Sequence, residues 1–563
     1  MEEKKLSPYE KVKAASNYLR GTLKESLAQE TTHFTSDEGS LLKPHGTYQQ
    51  DDRDKRQELL KQKKEPAYSM MVRIKIPGGY LTADQYLAYD DVASQYANGT
   101  LRITTRQGFQ FHGVLKKNLK TVIHTINEKL NTTSGACGDN VRNVLACPAP
   151  LSDRKKLNIL KYAQDVSDTF LPQSGAYHEI WMDGKNLATT PANDPEPIYG
   201  KTYLPRKFKI AIAYPEDNCT DVFSNDLAIV PEILGGTLKG FNLFVGGGFG
   251  MTHGITDTYP RLASPLGFVK PQDLIETSKA VVMTQRDFGN RGDRKRARLK
   301  YLLDDKGVAW FREEVEKRLG KKVEDVHPIH WHGIDNHLGW YEEGDGRWFF
   351  GVPVESGRIK DEGNLRMKSG FRAFVEKFRP SVYLTCQQDI IFSGFAESQK
   401  QEVEAFLSSY GIKLPSQVSN VRKDSMACPA LPTCGLAITE SERALPGLMT
   451  ELEKKLDELG LSGQRLMIRM TGCPNGCARP YNAEIAFVGK TVGTYNVYIG
   501  GSLKGDRLNF LYKEKVLQKD LAASVYPLLE EYQKSKKAGE GLGDYCNRLG
   551  AAHFRTVSTS QKL

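Results

Sequence analysis

Leu101-Arg-Ile-Thr-Thr-Arg-Gln-Gly-Phe-Gln-Phe-His-Gly113 lies without a gap over Val382-Tyr-Leu-Thr-Cys-Gln-Gln-Asp-Ile-Ile-Phe-Ser-Gly394, with Gln107 on Gln388 and Gly113 on Gly394. Both stretches alternate at the strand period of two on either side of a turn. Upstream, Met70–Ile76 (MMVRIKI) with its Pro-Gly-Gly turn matches Trp348–Val354 (WFFGVPV) with its Ser-Gly turn, and a helical pattern follows each. A fainter echo pairs Gly240–Gly250 with Thr494–Gly505, Asn242 falling on Asn496, and Arg206–Ile212 with Arg465–Met470. The order is therefore A, B, A′, B′. It predicts an α/β (α+β type) multidomain fold, internally duplicated, with a pocket where the copies meet. The expected divisions are a polar, helix-leaning arm at 1–65, which is a candidate docking element for a partner, then 66–135, 136–344, 345–415 and 416–563.

The chain has 563 residues, 39% apolar and 26% charged, the balance of a soluble protein. No stretch reaches the ~18–20 apolar residues that cross a bilayer, and the N-terminus lacks the apolar centre of a signal peptide, so no membrane association and a cytoplasmic location are expected. A net charge of +10 suits nucleic acid, an acidic protein or an anionic substrate. With no recognisable nucleic-acid-binding module, nucleic acid is set aside.

Four of the nine cysteines form two tight pairs, Cys428-x5-Cys434 and Cys473-x3-Cys477. Between them an amphipathic pattern (Leu445, Leu448, Leu452, Leu456, Leu459) ends at Gly460, and the strand Arg465–Met470 returns toward the first pair. Helix plus strand would thus bring four thiols together. Buried free cysteines and a structural zinc both compete for this reading. The Pro- and Gly-rich loops favour an iron–sulfur cube, since Gly472 and Gly476 let the backbone approach the sulfurs. Cys137, Cys147, Cys219, Cys386 and Cys546 read as core thiols.

Cations alternate with apolar residues on several strands: Arg73 and Lys75, Lys207 and Lys209, with Gln110 and His112 opposite Phe109 and Phe111. On pattern alone such a face is a solvated one. The run Arg291–Arg298 reads either as an anion-binding stretch or as an exposed basic helix.

The two cysteine pairs, in the form C-x5-C then T-G-C-P-N-G-C-A-R, resemble the cluster motif of the siroheme-dependent sulfite and nitrite reductases. Agreement extends in order through His45–Asp54 (HGTYQQDDRD), Thr105–Gly113, Val141–Pro148 (VRNVLACP), Tyr203–Lys209 (YLPRKFK) and Thr284–Arg291 (TQRDFGNR). The resemblance implies two ferredoxin-like half-domains at 66–135 and 345–415, a siroheme and substrate domain at 136–344, and a cluster domain at 416–563. It implies that Cys428, Cys434, Cys473 and Cys477 hold a [4Fe–4S] cluster and that Cys477 also ligates the siroheme iron. Arg73, Arg142, Lys207 and Lys209 would surround sulfite. Arg106, Gln110, His112, Arg206 and Lys300 are candidates for the siroheme carboxylates, because so anionic a macrocycle needs many cations.

Six-electron reduction of sulfite to sulfide is the activity so implied, with reduction of nitrite to ammonia as the alternative. A non-catalytic electron carrier or a zinc-stapled scaffold would keep the cysteines without a tetrapyrrole. No nucleotide-binding glycine motif appears, as Met251 stands where the last glycine of Val245–Met251 belongs. Electrons must therefore come from another protein, either an NADPH-oxidising flavoprotein, as the hemoprotein type of subunit implies, or ferredoxin.

Overall fold

The computed structural model describes residues 6–152, 157–182 and 196–560, with side chains as far as Phe554; Met1–Lys5 of the expected arm lie outside the described residues. The A repeats each build an antiparallel sheet. The first places Thr47–Asp51, Tyr68–Arg73, Phe109–Val114 and Leu101–Ile103 side by side; the second places Gly339–Glu342, Trp348–Val352, Ile390–Phe395 and Ser381–Leu384. Apolar strand positions meet aromatic helix residues in equivalent ways. Phe111 packs edge-on to Tyr89, and its counterpart Phe392 packs on Phe371 and Phe374.

Each half-domain sheet is completed by the other half. Tyr80–Leu81, just past the Pro77–Gly79 turn, pairs with Val382–Tyr383 of the second sheet. Arg358–Ile359, just past the Glu355–Gly357 turn, pairs with Leu101–Arg102 of the first. The exchange needs two tight backbone crossings. Gly79 (φ +80°) leaves no room for a Cβ, which would sit 2.4 Å from Leu384 O, and Gly357 (φ +74°) would put one 2.3 Å from Ile103 O. Leu384 and Ile103 are equivalent in the repeat, so the crossings are related by the same pseudo-symmetry.

The B repeats also match strand for strand. In the first, Val141 and Leu145 bridge in parallel to Phe208 and Ala211 beside Ile210–Ile212, followed across the sheet by Leu227–Leu234, Thr237–Val245 and Ser264–Val269. In the second the order is Ser425–Ala427, Ile468–Thr471, Ile485–Thr491, Thr494–Ile499 and Phe510–Leu517. Both run parallel, parallel, antiparallel, antiparallel. Asn242 and Asn496 keep equivalent jobs, each accepting a backbone N–H, from His327 and Lys515.

One expectation is corrected here. The stretch up to residue 65 is not a free arm. Its strand Thr47–Asp51 pairs along Tyr68–Arg73, so a boundary at 65 cuts a sheet. Leu19, Leu23, Phe34, Leu41 and Leu42 join the main core, and Lys13 is buried between Glu10 (2.5 Å) and Asp139 (3.4 Å). The hydrophilic composition conceals this because the charges that go inward are paired, Lys13 with Glu10 and Asp139 and Arg20 with Glu179. Helix Arg53–Lys61 buries no residue and ties its first turn to the cysteine-bearing segment, Arg53 donating to Cys434 O at 3.1 Å and Asp54 pairing Arg443 at 2.6 Å.

Candidate functional site

The parallel register that sets Ala427 against Met470 brings the ends of these two strands together, and the two cysteine pairs follow directly from them. Helix Leu445–Glu458 makes the crossover, burying Leu445, Leu448, Leu452 and Leu456 before Gly460 (φ +66°) ends the turn. Cys428 Sγ accepts the Gly472 N–H at 3.3 Å, and Cys473 Sγ accepts from Asn475 Nδ2 at 3.4 Å. A Cβ on Gly472 would lie 2.5 Å from Thr439 O, and Gly476 holds φ +67°. These two glycines are what the close approach requires.

Each of the four thiols lies within the field of the other three. Burial, then Cys477, Cys473 and Cys434, push the Cys428 thiol well up. Burial and then Cys477 push Cys473 up to about 12, and the same two causes raise Cys434. A positively charged metal core removes that penalty by binding the thiolates. Cys477 alone of the nine cysteines is exposed.

Cys477 is exposed and bears electrostatically on Arg73, Lys207 and Lys209. Arg73 ends its strand opposite Gln110, whose amide oxygen, turned to face it, accepts from Nη2 at 2.5 Å and Nε at 3.2 Å. Arg73 Nη1 also donates to Cys137 Sγ at 3.2 Å. Arg142 is held by Gly138 O (2.9 Å), a carbonyl rather than a carboxylate. Lys207 and Lys209 are half-buried, and neither ammonium has an ion-pair or hydrogen-bond partner among the described residues. Burial, then Arg206 and Arg298, lower Lys207 to about 7. Burial, then Arg106 and Lys207, drive Lys209 well below its ordinary value.

Arg106 lies within the field of Lys209, and His112 within that of Arg73. Arg106 donates to Asn225 Oδ1 (3.0 Å) and Asn143 O (2.5 Å), yet its buried Nε has no partner; burial lowers it to about 9. His112 is buried with Nδ1 unpaired, and burial and the neighbouring Arg358, Arg102 and Arg73 hold it neutral. Arg206 is half-buried, lowered to about 10 by burial and then Arg294, with Asp139 no nearer than 4.0 Å.

Two expectations fail. Lys300 is fully buried and spends its ammonium on the carbonyls of Gly248 (3.1 Å), Gly250 (3.0 Å) and Tyr259, so it braces the glycine loop and keeps no donor for a ligand. The arginines of the run Arg291–Arg298 are likewise committed: Arg291 to Glu10, Arg294 to both oxygens of Asp139, Arg296 to Asp305, Arg298 to both oxygens of Asp226. They form structural pairs, not an anion site.

Two carboxylates escaped the sequence reading, because single aspartates carry no spacing signal. Asp226 accepts the Lys209 N–H at 2.9 Å while pairing Arg298. Asp221, fully buried, receives Arg479 (2.5 Å), Arg469 (2.8 Å) and Asn482 (2.7 Å).

The donor set fits an iron–sulfur cluster: soft sulfurs, backbone and amide N–H groups aimed at them, and no carboxylate among them. The cations around Cys477 fit an anionic macrocycle and a small anion, since among the described residues Lys207 Nζ, Lys209 Nζ, Arg106 Nε and His112 Nδ1 have no partner.

Four gathered thiols, one of them exposed beside Arg73, Lys207 and Lys209, at the junction of a duplicated α+β chain, define a redox enzyme that works on an anion. A profile described as "Nitrite/Sulfite reductase ferredoxin-like half domain" matches residues 61–129 and 341–410, and one described as "Nitrite and sulphite reductase 4Fe-4S domain" matches 162–323. The chain belongs to the nitrite and sulphite reductase family. The second match covers the first B repeat; the four cysteines stand in the second, which repeats its strand order.

Over 547 residues, 97% of this chain and 96% of the relative, the sequence is 45% identical to the "Sulfite reductase [NADPH] hemoprotein beta-component" of Staphylococcus saprophyticus. The protein of that name from Anoxybacillus flavithermus is 45% identical over 98% of this chain and 97% of its own. The "Sulfite reductase [ferredoxin]" of Synechococcus elongatus is 44% identical over 99% and 91%. The solved structure of the Mycobacterium tuberculosis NirA protein superposes with a TM-score of 0.79 over 98% of both chains at 23% identity, a likeness of fold.

Proposed function

We propose that this chain is the catalytic subunit of an assimilatory sulfite reductase, taking sulfite to sulfide by six electrons. The observation that carries the proposal is the exposed Cys477, one of four converging thiols, facing Arg73, Lys207 and Lys209. Cys428, Cys434, Cys473 and Cys477 would hold the [4Fe–4S] cluster, with Cys477 shared with siroheme. When bound, these groups supply the iron that takes the anion and the route by which electrons reach it.

The remaining work falls to the chain. Arg73 and Arg142, held by Gln110, Cys137 and carbonyls, present guanidinium forks to the oxyanion and keep it oriented. Lys207 Nζ, poised near 7, releases a proton to a leaving oxygen and regains one from solvent near neutral pH. Lys209 Nζ, driven well below its ordinary value by burial and then by Arg106 and Lys207, favours its charged form more once an anion sits beside it. Arg106 and His112, with orphaned nitrogens, would be the donors to macrocycle carboxylates, and Arg206 would add positive charge.

Electrons come from a separate donor protein, and the reading favours an NADPH-oxidising flavoprotein over ferredoxin, in line with the names of the Staphylococcus and Anoxybacillus relatives. No helix among the described residues is long and apolar enough to cross a membrane. We place the enzyme in the cytoplasm.

The deciding experiment compares kcat/KM for sulfite and nitrite on the purified holoenzyme with one chemical reductant, then sulfide production with reduced flavoprotein and with reduced ferredoxin. Preference for sulfite supports the proposal. A large preference for nitrite reverses it, and a chain without a siroheme spectrum removes it.

A further inference from the structure

The core thiols Cys147 and Cys219 are not scattered. Cys147 Sγ lies 3.0 Å from Asp217 Oδ2 and 3.6 Å from His337 Nε2, and that nitrogen lies 3.0 Å from Asp217 Oδ2. With Cys219 Sγ added, the four ligand atoms all fall within 4.8 Å of one another, and all four residues are buried. We propose that Cys147, Asp217, Cys219 and His337 form a second metal site, a closed tetrahedral one that takes zinc.

Three independent features support a built site. The first is distance. Zinc bonds of about 2.3 Å to sulfur and 2.0–2.1 Å to nitrogen or oxygen give tetrahedral ligand–ligand edges of roughly 3.3–3.8 Å. The spacings among Cys147, Asp217 and His337, 3.0–3.6 Å, lie within about half an ångström of those edges, and Cys219 Sγ, within 4.8 Å of each, closes in by no more than about 1–1.5 Å to receive an ion.

The second is the surrounding scaffold. Asp217 Oδ1 accepts the N–H groups of Cys219 and Asp335, both at 3.1 Å, which turns Oδ2 toward the cluster. The His337 backbone N–H donates to Asp335 Oδ1 at 2.9 Å, and its other ring nitrogen lies 3.8 Å from Asp335 Oδ2, on the side from which a carboxylate can steer the ring. Its backbone sits at φ +58°, an unusual conformation for a side-chain-bearing residue. Two sulfurs, an imidazole and one carboxylate suit zinc and exclude the oxygen-seeking Mg2+ and Ca2+.

The third is the duplication. Ala146-Cys147-Pro148-Ala149 repeats Ala427-Cys428-Pro429-Ala430. Cys147 follows the segment lying parallel beside Ile210–Ile212, as Cys428 follows the strand parallel to Ile468–Thr471. Asp217 and Cys219 occupy the loop leaving the first of those strands, as Cys473 and Cys477 occupy the loop leaving the second. The cluster and the proposed zinc are thus pseudo-symmetry mates, with His337 supplied by the segment that enters the second half-domain. Such an ion would clamp three segments far apart in sequence.

The test is the zinc content of the purified holoenzyme by mass spectrometry, with X-ray absorption at the zinc edge, where the iron centres do not interfere. About one zinc per chain with two sulfur and two nitrogen or oxygen neighbours is expected. Cys219→Ser and His337→Ala lose it, while Cys546→Ser, in the separate C-terminal core, keeps it. If the protein is purified free of zinc, added Zn2+ alone binds one to one with the same shell. Absence of both bound and added zinc overturns the proposal. So does a shell of four sulfurs, which places zinc among the cluster cysteines, or one without sulfur, which marks a surface ion. Retention of zinc by both variants overturns it as well. Should either variant misfold, the wild-type absorption shell still decides.

Discussion

Arg479 Nε lies 2.5 Å from the buried Asp221 Oδ2, and the same guanidinium donates to Thr105 O (3.1 Å) and Cys386 O (3.0 Å). One side chain, two residues beyond Cys477, therefore touches both half-domains and both B repeats. Asp221→Asn removes the counter-charge of two buried arginines, Arg469 and Arg479, and is expected to cost about 3–5 kcal/mol. Denaturant unfolding checks this, with Asp54→Asn at the exposed Arg443 pair as a control that loses no more than about 1 kcal/mol.

Cys428→Ser breaks the gathered thiols at a buried corner and is expected to abolish cluster assembly while the chain remains folded. Iron and acid-labile sulfide analyses read the loss, and far-ultraviolet circular dichroism reads the fold. Unchanged iron and sulfide in this variant would sink the four-thiol assignment.

Lys207→Met is expected to lower kcat for sulfite by about 10²- to 10⁴-fold with little change in KM, as removal of a proton donor should. Arg142→Met is expected to act mainly on KM, about tenfold or more, since a charged hydrogen bond to the anion contributes about 1.5–3 kcal/mol. Steady-state kinetics separate the two, and identical effects on kcat and KM in both variants would contradict the division of roles.

The depressed Lys207 also predicts a pH dependence. Its pKa falls from 10.5 to about 7 on folding, so between those values the unfolded chain binds more protons and stability rises with pH. Below about pH 7 the folded chain carries the buried charge. In the cofactor-free chain, Lys207→Met is expected to be more stable than wild type at pH 6, and the gap should shrink steadily toward pH 10. Melting curves across that range give the answer; a gap independent of pH would mean that Lys207 is not depressed.

Gly357→Ala places a Cβ against Ile103 O where the half-domains exchange strands. Combined with the left-handed backbone it is expected to destabilise by about 1–3 kcal/mol or more. Gly363→Ala has an equally left-handed backbone (φ +58°) but open space around it, and so isolates the steric part.

Much of this was legible in the chain before any coordinates. The duplication was visible because strand periodicity and the paired positions Gln107/Gln388 and Gly113/Gly394 survive divergence. The cysteine pairs were visible because their ligand spacing is local. The strand exchange was not, since Tyr80–Leu81 and Arg358–Ile359 are too short to carry a period. The basic run 291–298 and Lys300 misled because a sequence counts charges without showing their partners. Nothing in the sequence groups Cys147 and Cys219 with His337, which lies 190 residues from Cys147, a distance no motif spans.

The mutual completion of the two half-domain sheets also sets an order of events during synthesis. The N-terminal sheet waits with its Leu101–Arg102 edge uncovered until the ribosome has delivered Ile359, while everything between is made. An open edge is an invitation to wrong pairing. The nascent chain therefore needs shielding over that interval, and neither half expressed alone has the strand that closes it.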